Sequence, residues 1–195
     1  MLSLLQPDEL LITRTMQASR DQQLTYSDLL ATVDSVTPAG FSPNHWKSRI
    51  GTGEQAFQQA CNAINDLAML QLGWLRVVAA DGTPQVGRQI ATLARSAGVW
   101  SLNVARIVAV DNDTEHRYGF CYGTLPEYPV CGEERFTVAY DPGTREVSFE
   151  VFSVSRPTAL LARIGWPLIR RTQRQFCKDA AQAMRQACGS EPRSS

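Results

Sequence analysis

The chain's hydrophobic period shifts from that of strands to that of a helix at Ser155, and this change limits the fold more than any other feature. Before it, "GEERFTVAYD" and "EVSFEVFSVS" alternate apolar and polar residues and are separated by the tight turn "DPGT". A period of two belongs to a strand with one buried face. After it, Leu161, Leu168, Thr172, Phe176, Ala180 and Met184 recur at helical spacing. Pro157 suits the first turn of that helix. Pro167, inside it, is expected to kink it, because it has no N–H to donate and clashes with the preceding turn. Strands followed by one long amphipathic helix must lay helix on sheet to bury both apolar faces.

Upstream, "HWKSRIG" reads as a strand ending at Gly51. "TGEQAFQQACNAINDLAML" reads as a helix with Thr52 as N-cap. "WLRVVAA", "VGRQIATLAR", "GVWSLNVARIVAVD" and "EHRYGFCYGT" read as further strands, cut by "DGTP", "DNDT" and Pro126. Short connections of this kind imply an antiparallel meander. Pro7 to Asp34 read as a helical arm, with "TYSDLLATVD" as a second helical turn, and "SVTPAGFSPN" as a linker. The expected fold is α+β: a curved antiparallel sheet packed on a long C-terminal helix, with an N-terminal helical arm. This is the helix-grip arrangement, which leaves a cavity when the sheet curves strongly. The expected division is 1–40 arm and linker, 41–188 helix-grip domain, 189–195 disordered tail.

Composition excludes several function classes. The formal net charge is zero, which argues against a nucleic-acid binder. Five cysteines without a CxxC, and only two histidines, argue against a zinc site. Neither a metal nor another cofactor is expected. The opening "MLSLLQPDELLITR" does not read as a signal peptide, and no apolar run is long enough to span a bilayer. These features suit a cytoplasmic, reducing compartment with free thiols.

The densest stretch is "RYGFCYGTLPEYPVCGEERF", Arg117 to Phe136. By parity, Tyr118, Phe120 and Tyr122 share one face of their strand, and Gly119, Cys121 and Gly123 the other. Small residues there would let another element approach closely. Glu134 shares the apolar face of Phe136, Val138 and Tyr140, while Glu133, Arg135 and Thr137 point away. A carboxylate on an apolar face has a raised pKa or a partner, which suits acid–base work. The plainer reading is a rim residue, solvated or paired with Arg156. The tyrosines Tyr118, Tyr122 and Tyr128 line a pocket or simply brace the sheet across strands. Cys121 and Cys131, flanking the turn, read as small buried hydrophobes rather than a redox pair. The basic stripe Arg163, Arg170, Arg171, Arg174 and Lys178 reads as a solvated helix face or a contact for anionic lipid heads.

Three segments, "SRIGTGEQAF", "YGTLPEYPVCGEERF" and "FSVSRPTALLARIGWPLIRRTQRQF", together with their spacing, resemble the uncharacterised UPF0548 family of bacteria and plants. The resemblance covers most of Tyr26 to Met184. It implies a START-like, helix-grip layout and supplies no reaction. Family members often carry histidine where this chain has Tyr128, so no mechanism needing a histidine in that turn transfers to it.

The leading functional expectation is a protein that binds a small apolar or amphipathic molecule between sheet and terminal helix. Its expected lining is Trp100, Tyr118, Tyr122, Glu134, Phe136, Phe149 and Phe176. A second reading is an enzyme acting on such a ligand, with Glu134 as acid or base and Arg156 holding an anionic group. A third is a scaffold for a protein or membrane partner. A cavity would separate the first two from the third.

Overall fold

The computed structural model describes residues 1–27, 30–80, 82–96, 98–112, 115–126, 128, 130–157 and 166–189. Eight strands form one antiparallel sheet: β1 (Leu2–Ser3), β2 (Ser42–Thr52), β3 (Leu75–Ala80), β4 (Gln89–Ser96), β5 (Val99–Asp111), β6 (Arg117–Thr124), β7 (Val130–Tyr140) and β8 (Glu146–Pro157). Among the described residues, three α-helices accompany them: α1 (Glu9–Ala18), α2 (Glu54–Asn65) and α3 (Trp166–Ala187). The spatial order is β2-β8-β7-β6-β5-β4-β3, with β1 added on β5. β3 to β8 thus form the expected meander, and β2 closes back beside β8. The chain has the α+β helix-grip fold.

Register shifts between Arg49 and Gly51, Val77 and Ala79, and Ile107 and Ala109 mark irregular pairing in three ladders. Extra residues of this kind increase twist and bend a strand, and so help the sheet curve around α2 and α3. The main core lies in that concavity. Phe57 of α2 stacks on Tyr140, and Phe176 of α3 meets Phe136 edge-on at 6.1 Å. Trp74 Nε1 donates to Asp179 Oδ2, and Asn44 Nδ2 to Cys177 Sγ, tying α3 to the sheet's two sides.

The ends of the helices differ from expectation. Pro157 is the last residue of β8, not the start of a helix. Without an N–H it cannot extend the ladder, so it suits a strand end. Pro167 stands in the first described turn of α3, and the residues before Trp166, on which a kink would depend, lie outside the described residues. Leu161 and Arg163 lie outside the described residues. Thr52 ends β2, and Gly53 caps α2 instead; its φ of 88° is one that threonine avoids.

The arm begins as predicted. Asp8 caps α1 by accepting from Leu11 N at 2.8 Å. "TYSDLLATVD" is not helical in its described residues; it forms turns in which Asp34 N donates to Leu30 O and Val36 N to Ala31 O. From α1 onward the described residues of the arm pack on the sheet's outer face. Ile12 packs there with Ala91, Leu93, Leu102 and Val104, and Tyr26, Ala31 and Phe41 with Phe152 and Val154. The tail from residue 190 is outside the described residues.

Candidate functional site

The inner face of β4–β8, the N-terminal half of α3 and the short turn around Leu70 enclose a cavity of about 650 Å³. Its wall is predominantly apolar, with a few polar groups converging at the β6–β7 end. Strand alternation sets them there. Tyr122 and Glu134 stand directly opposite in the β6–β7 ladder, and Tyr122 Oη donates to Glu134 Oε2 at 2.5 Å. Tyr128, in the connecting turn, brings its hydroxyl within 3.4 Å of Tyr122 Oη. On the next strand Ser153 faces Glu134 in register and lines the same space.

Burial disfavours the charged form of Glu134, and the Tyr122 hydrogen bond offsets only part of this, so the carboxyl rises to about 7. Burial and the nearby Glu134 push the Tyr128 phenol up to about 12, and Tyr122 also rises. The result is a carboxyl that changes charge near neutrality, backed by two phenols that stay protonated. Such a group can give or take a proton, or hold a ligand's polar end.

The structure sorts the expected lining residues into three groups. Tyr122, Glu134 and Phe176 meet at the cavity wall. Phe136 and Phe149 are fully buried in the core beneath the helices, and Tyr118 is turned to α2, donating to Asn65 Oδ1. Trp100 and Arg156 lie on the other face. Trp100 stacks under Arg95 in the cluster covered by α1, while its neighbours Val99 and Ser101 line the cavity. Arg156 pairs in register with Cys131, places its guanidinium 4.8 Å from the Phe41 ring, and donates through Nε to Cys131 Sγ. The expected Glu134–Arg156 pair, and with it the anion-holding role of Arg156, is therefore excluded by strand parity.

The outer face carries a second buried carboxylate, on the side to which parity assigned Glu133. Glu133 is 2% exposed. It accepts from Leu30 N at 2.7 Å, and from Thr32 N and Thr32 Oγ1 at 3.1 Å. Cys121 Sγ lies 2.9 Å from Thr32 Oγ1, and burial pushes its thiol up to about 12. That thiol is inert at neutral pH. Nothing in the local pattern announces Glu133, since its partners come from the arm a hundred residues earlier. The bare β6 face was the available signal: a Cβ on Gly123 would lie 2.1 Å from Tyr26 Oη. Among the described residues no group of histidine, cysteine or acidic side chains could hold a metal, and no helix is long and apolar enough to cross a membrane.

A curved antiparallel sheet gripping a C-terminal helix over an internal cavity defines the class as a helix-grip, START-like protein. The solved structures agree on the fold. Ara h 8.0201 superposes with a TM-score of 0.50 at 13% identity, covering 78% of this chain and all of that one. The di-domain ARO/CYC BexL from the BE-7585A biosynthetic pathway gives 0.52 at 17% identity, with 84% of this chain and 53% of that chain covered. Within the class, the family described as "Domain of unknown function (DUF1990)" matches residues 25–183, and the chain belongs to it. Relatives called UPF0548 proteins include one from Dictyostelium discoideum, 30% identical with 94% of both chains covered. Another, from Deinococcus radiodurans, is 31% identical over 88% of this chain and 90% of its own length.

Proposed function

We propose that the protein binds a small amphipathic molecule in this cavity, its polar end at Glu134, Tyr122 and Tyr128 and its apolar body along β4, β5 and α3. The carrying observation is a space of about 650 Å³, within the range of ligand pockets, whose exposed wall is mostly apolar in surface and on which Tyr122, Tyr128 and Glu134 converge. Five free cysteines suit a reducing, cytoplasmic-type compartment. Native mass spectrometry of freshly purified protein tests the reading directly, a co-purified small molecule being the expected result. As a second arm, the neutral dye Nile red should bind, and Thr172→Trp, which fills the cavity from α3, should weaken it at least about tenfold, or about 1.4 kcal/mol. Undiminished dye binding by this variant would place the dye elsewhere.

The hydrogen-bonded Glu134–Tyr122 pair also favours a second reading, in which Glu134 transfers a proton on the bound molecule. Turnover of the co-purified molecule, lost in Glu134→Gln, would establish it; an unchanged molecule after prolonged incubation would dismiss it.

A further inference from the structure

The charge of the cavity wall narrows the ligand, on the basis of the ligand-binding reading above. Among the described residues the lining contains no lysine, arginine or histidine. The Met1 amino group is engaged with Leu102 O at 2.7 Å, and the Glu133 carboxylate is occupied by the arm on the far face. Among the described residues Glu134 is thus a carboxyl in no ion pair with a lysine, arginine or histidine, in a mostly apolar space whose cationic group is the Met1 ammonium. Directly across the β7–β8 ladder, Ser153 is 4% exposed, lines the cavity, and has no hydrogen-bond partner for its Oγ. Tyr122, Tyr128, Trp74 and Phe176 add aromatic rings to the same wall.

Three head groups can be weighed against this arrangement. An anionic head would meet Glu134 with no lysine, arginine or histidine of the described lining to offset the repulsion, at a cost that grows as water is excluded. An alcohol would satisfy Ser153 and still leave an ionised Glu134 unpaired. A protonated amine answers both: the ammonium pairs with the carboxylate, a further N–H is available for Ser153 Oγ, and the ring faces attract the cation. We propose that the cavity selects lipophilic amines, molecules with an apolar body and one protonated nitrogen seated between Glu134 and Ser153.

Dodecylamine, dodecan-1-ol and dodecanoate, each below its micelle concentration, compete with Nile red for the protein between pH 6 and 8.5. The groups facing Glu134 are Tyr122 from β6, Tyr128 from the turn and Cys177 from α3. The Tyr128 and Cys177 groups are pushed up to about 12 and Tyr122 is raised, so of these four groups only Glu134 changes charge in this window, while the Met1 amino group on the same lining belongs to a class that also titrates there. The amine should bind tightest at pH 8, at least about tenfold ahead of the alcohol, and dodecanoate weakest. Below pH 7 the amine should lose affinity by up to about tenfold per pH unit while the alcohol does not. Glu134→Gln should abolish the advantage of amine over alcohol, and Arg156→Met, on the opposite face, should keep it. Nile red and dodecanol binding without preference for the amine, an equal or tighter dodecanoate, or an amine preference that survives Glu134→Gln would overturn the inference alone. Failure of Nile red and of every competitor to bind would overturn the ligand-binding reading and the inference with it.

Discussion

Glu133 and Glu134 are neighbours in sequence, yet strand alternation sends them to opposite sides of the sheet and to opposite energetic roles. Glu134 is held at about 7 when folded, against 4.5 when unfolded, so the native state binds its proton more tightly. Stability should therefore be unaffected by this group at low pH, fall as pH rises from about 4.5 through 7, and then level off. The full shift corresponds to a penalty of about 3 kcal/mol at pH 8. Glu134→Gln should raise the urea midpoint at pH 8 and leave it nearly unchanged at pH 4; equal effects at both pH values would refute the shift. Glu133→Ala should do the reverse, destabilising by about 3 kcal/mol, because it strands the buried donors of Thr32 and the half-buried N–H of Leu30. Parity read from the sequence alone placed Glu134 and Tyr122 correctly. It also held the answer for Arg156, an even-numbered residue on a strand whose inward set is Val147, Phe149 and Val151. Trp100 was harder, since β5 is apolar on both faces and its alternation carries no sign.

At the scale of elements, six strands after α2 were legible because each is bounded by a turn with its own chemistry. At "DPGT", Asp141 Oδ1 accepts from Gly143 N and Thr144 N. Helix limits were less legible, because a proline fits a strand end and a helix start equally well, and only the long-range ladder from Val130 to Pro157 decides between them. β1 was invisible, two residues being too few to show a period. Two element contacts are testable. Trp74→Phe removes the indole donor to Asp179 and should cost about 1 kcal/mol, loosening α3 over the cavity. In hydrogen exchange, α3 amides should then exchange faster than those of β7, and uniform protection in the variant would contradict this coupling. Gly123→Val puts a side chain where Tyr26 Oη stands and should destabilise by about 1–3 kcal/mol through overpacking. An unchanged melting temperature would mean the arm does not rest on β6.

For the whole molecule, the arm is the part whose place was least legible in the sequence, the bare β6 face being its one signal, since its polar contacts reach across a hundred residues. It makes two different attachments. Up to residue 24, α1 covers an apolar patch of β4 and β5, and Arg106 donates to the carbonyls of Ser19, Arg20 and Gln22. From Thr25 onward the chain is bonded to Thr124 and supplies the donors buried on Glu133, and the family match starts at the same residue. These attachments predict two outcomes. Removal of residues 1–24 uncovers apolar surface and takes Met1 and Leu2 from the cavity wall, but leaves the Glu133 hydrogen bonds in place, and Arg106 can turn to water. This form should fold, melt lower, and release Nile red faster. Removal of residues 1–40 leaves the Glu133 carboxylate buried or newly solvated without its donors, and bares Cys131, Phe152 and Val154. Loss of partners around a buried charge costs about 3–5 kcal/mol, a large part of the stability of a domain this size. The shorter form should therefore aggregate or unfold, as read by circular dichroism and gel filtration. A well-folded form lacking residues 1–40 would show that the sheet and α3 need no clasp on their outer face.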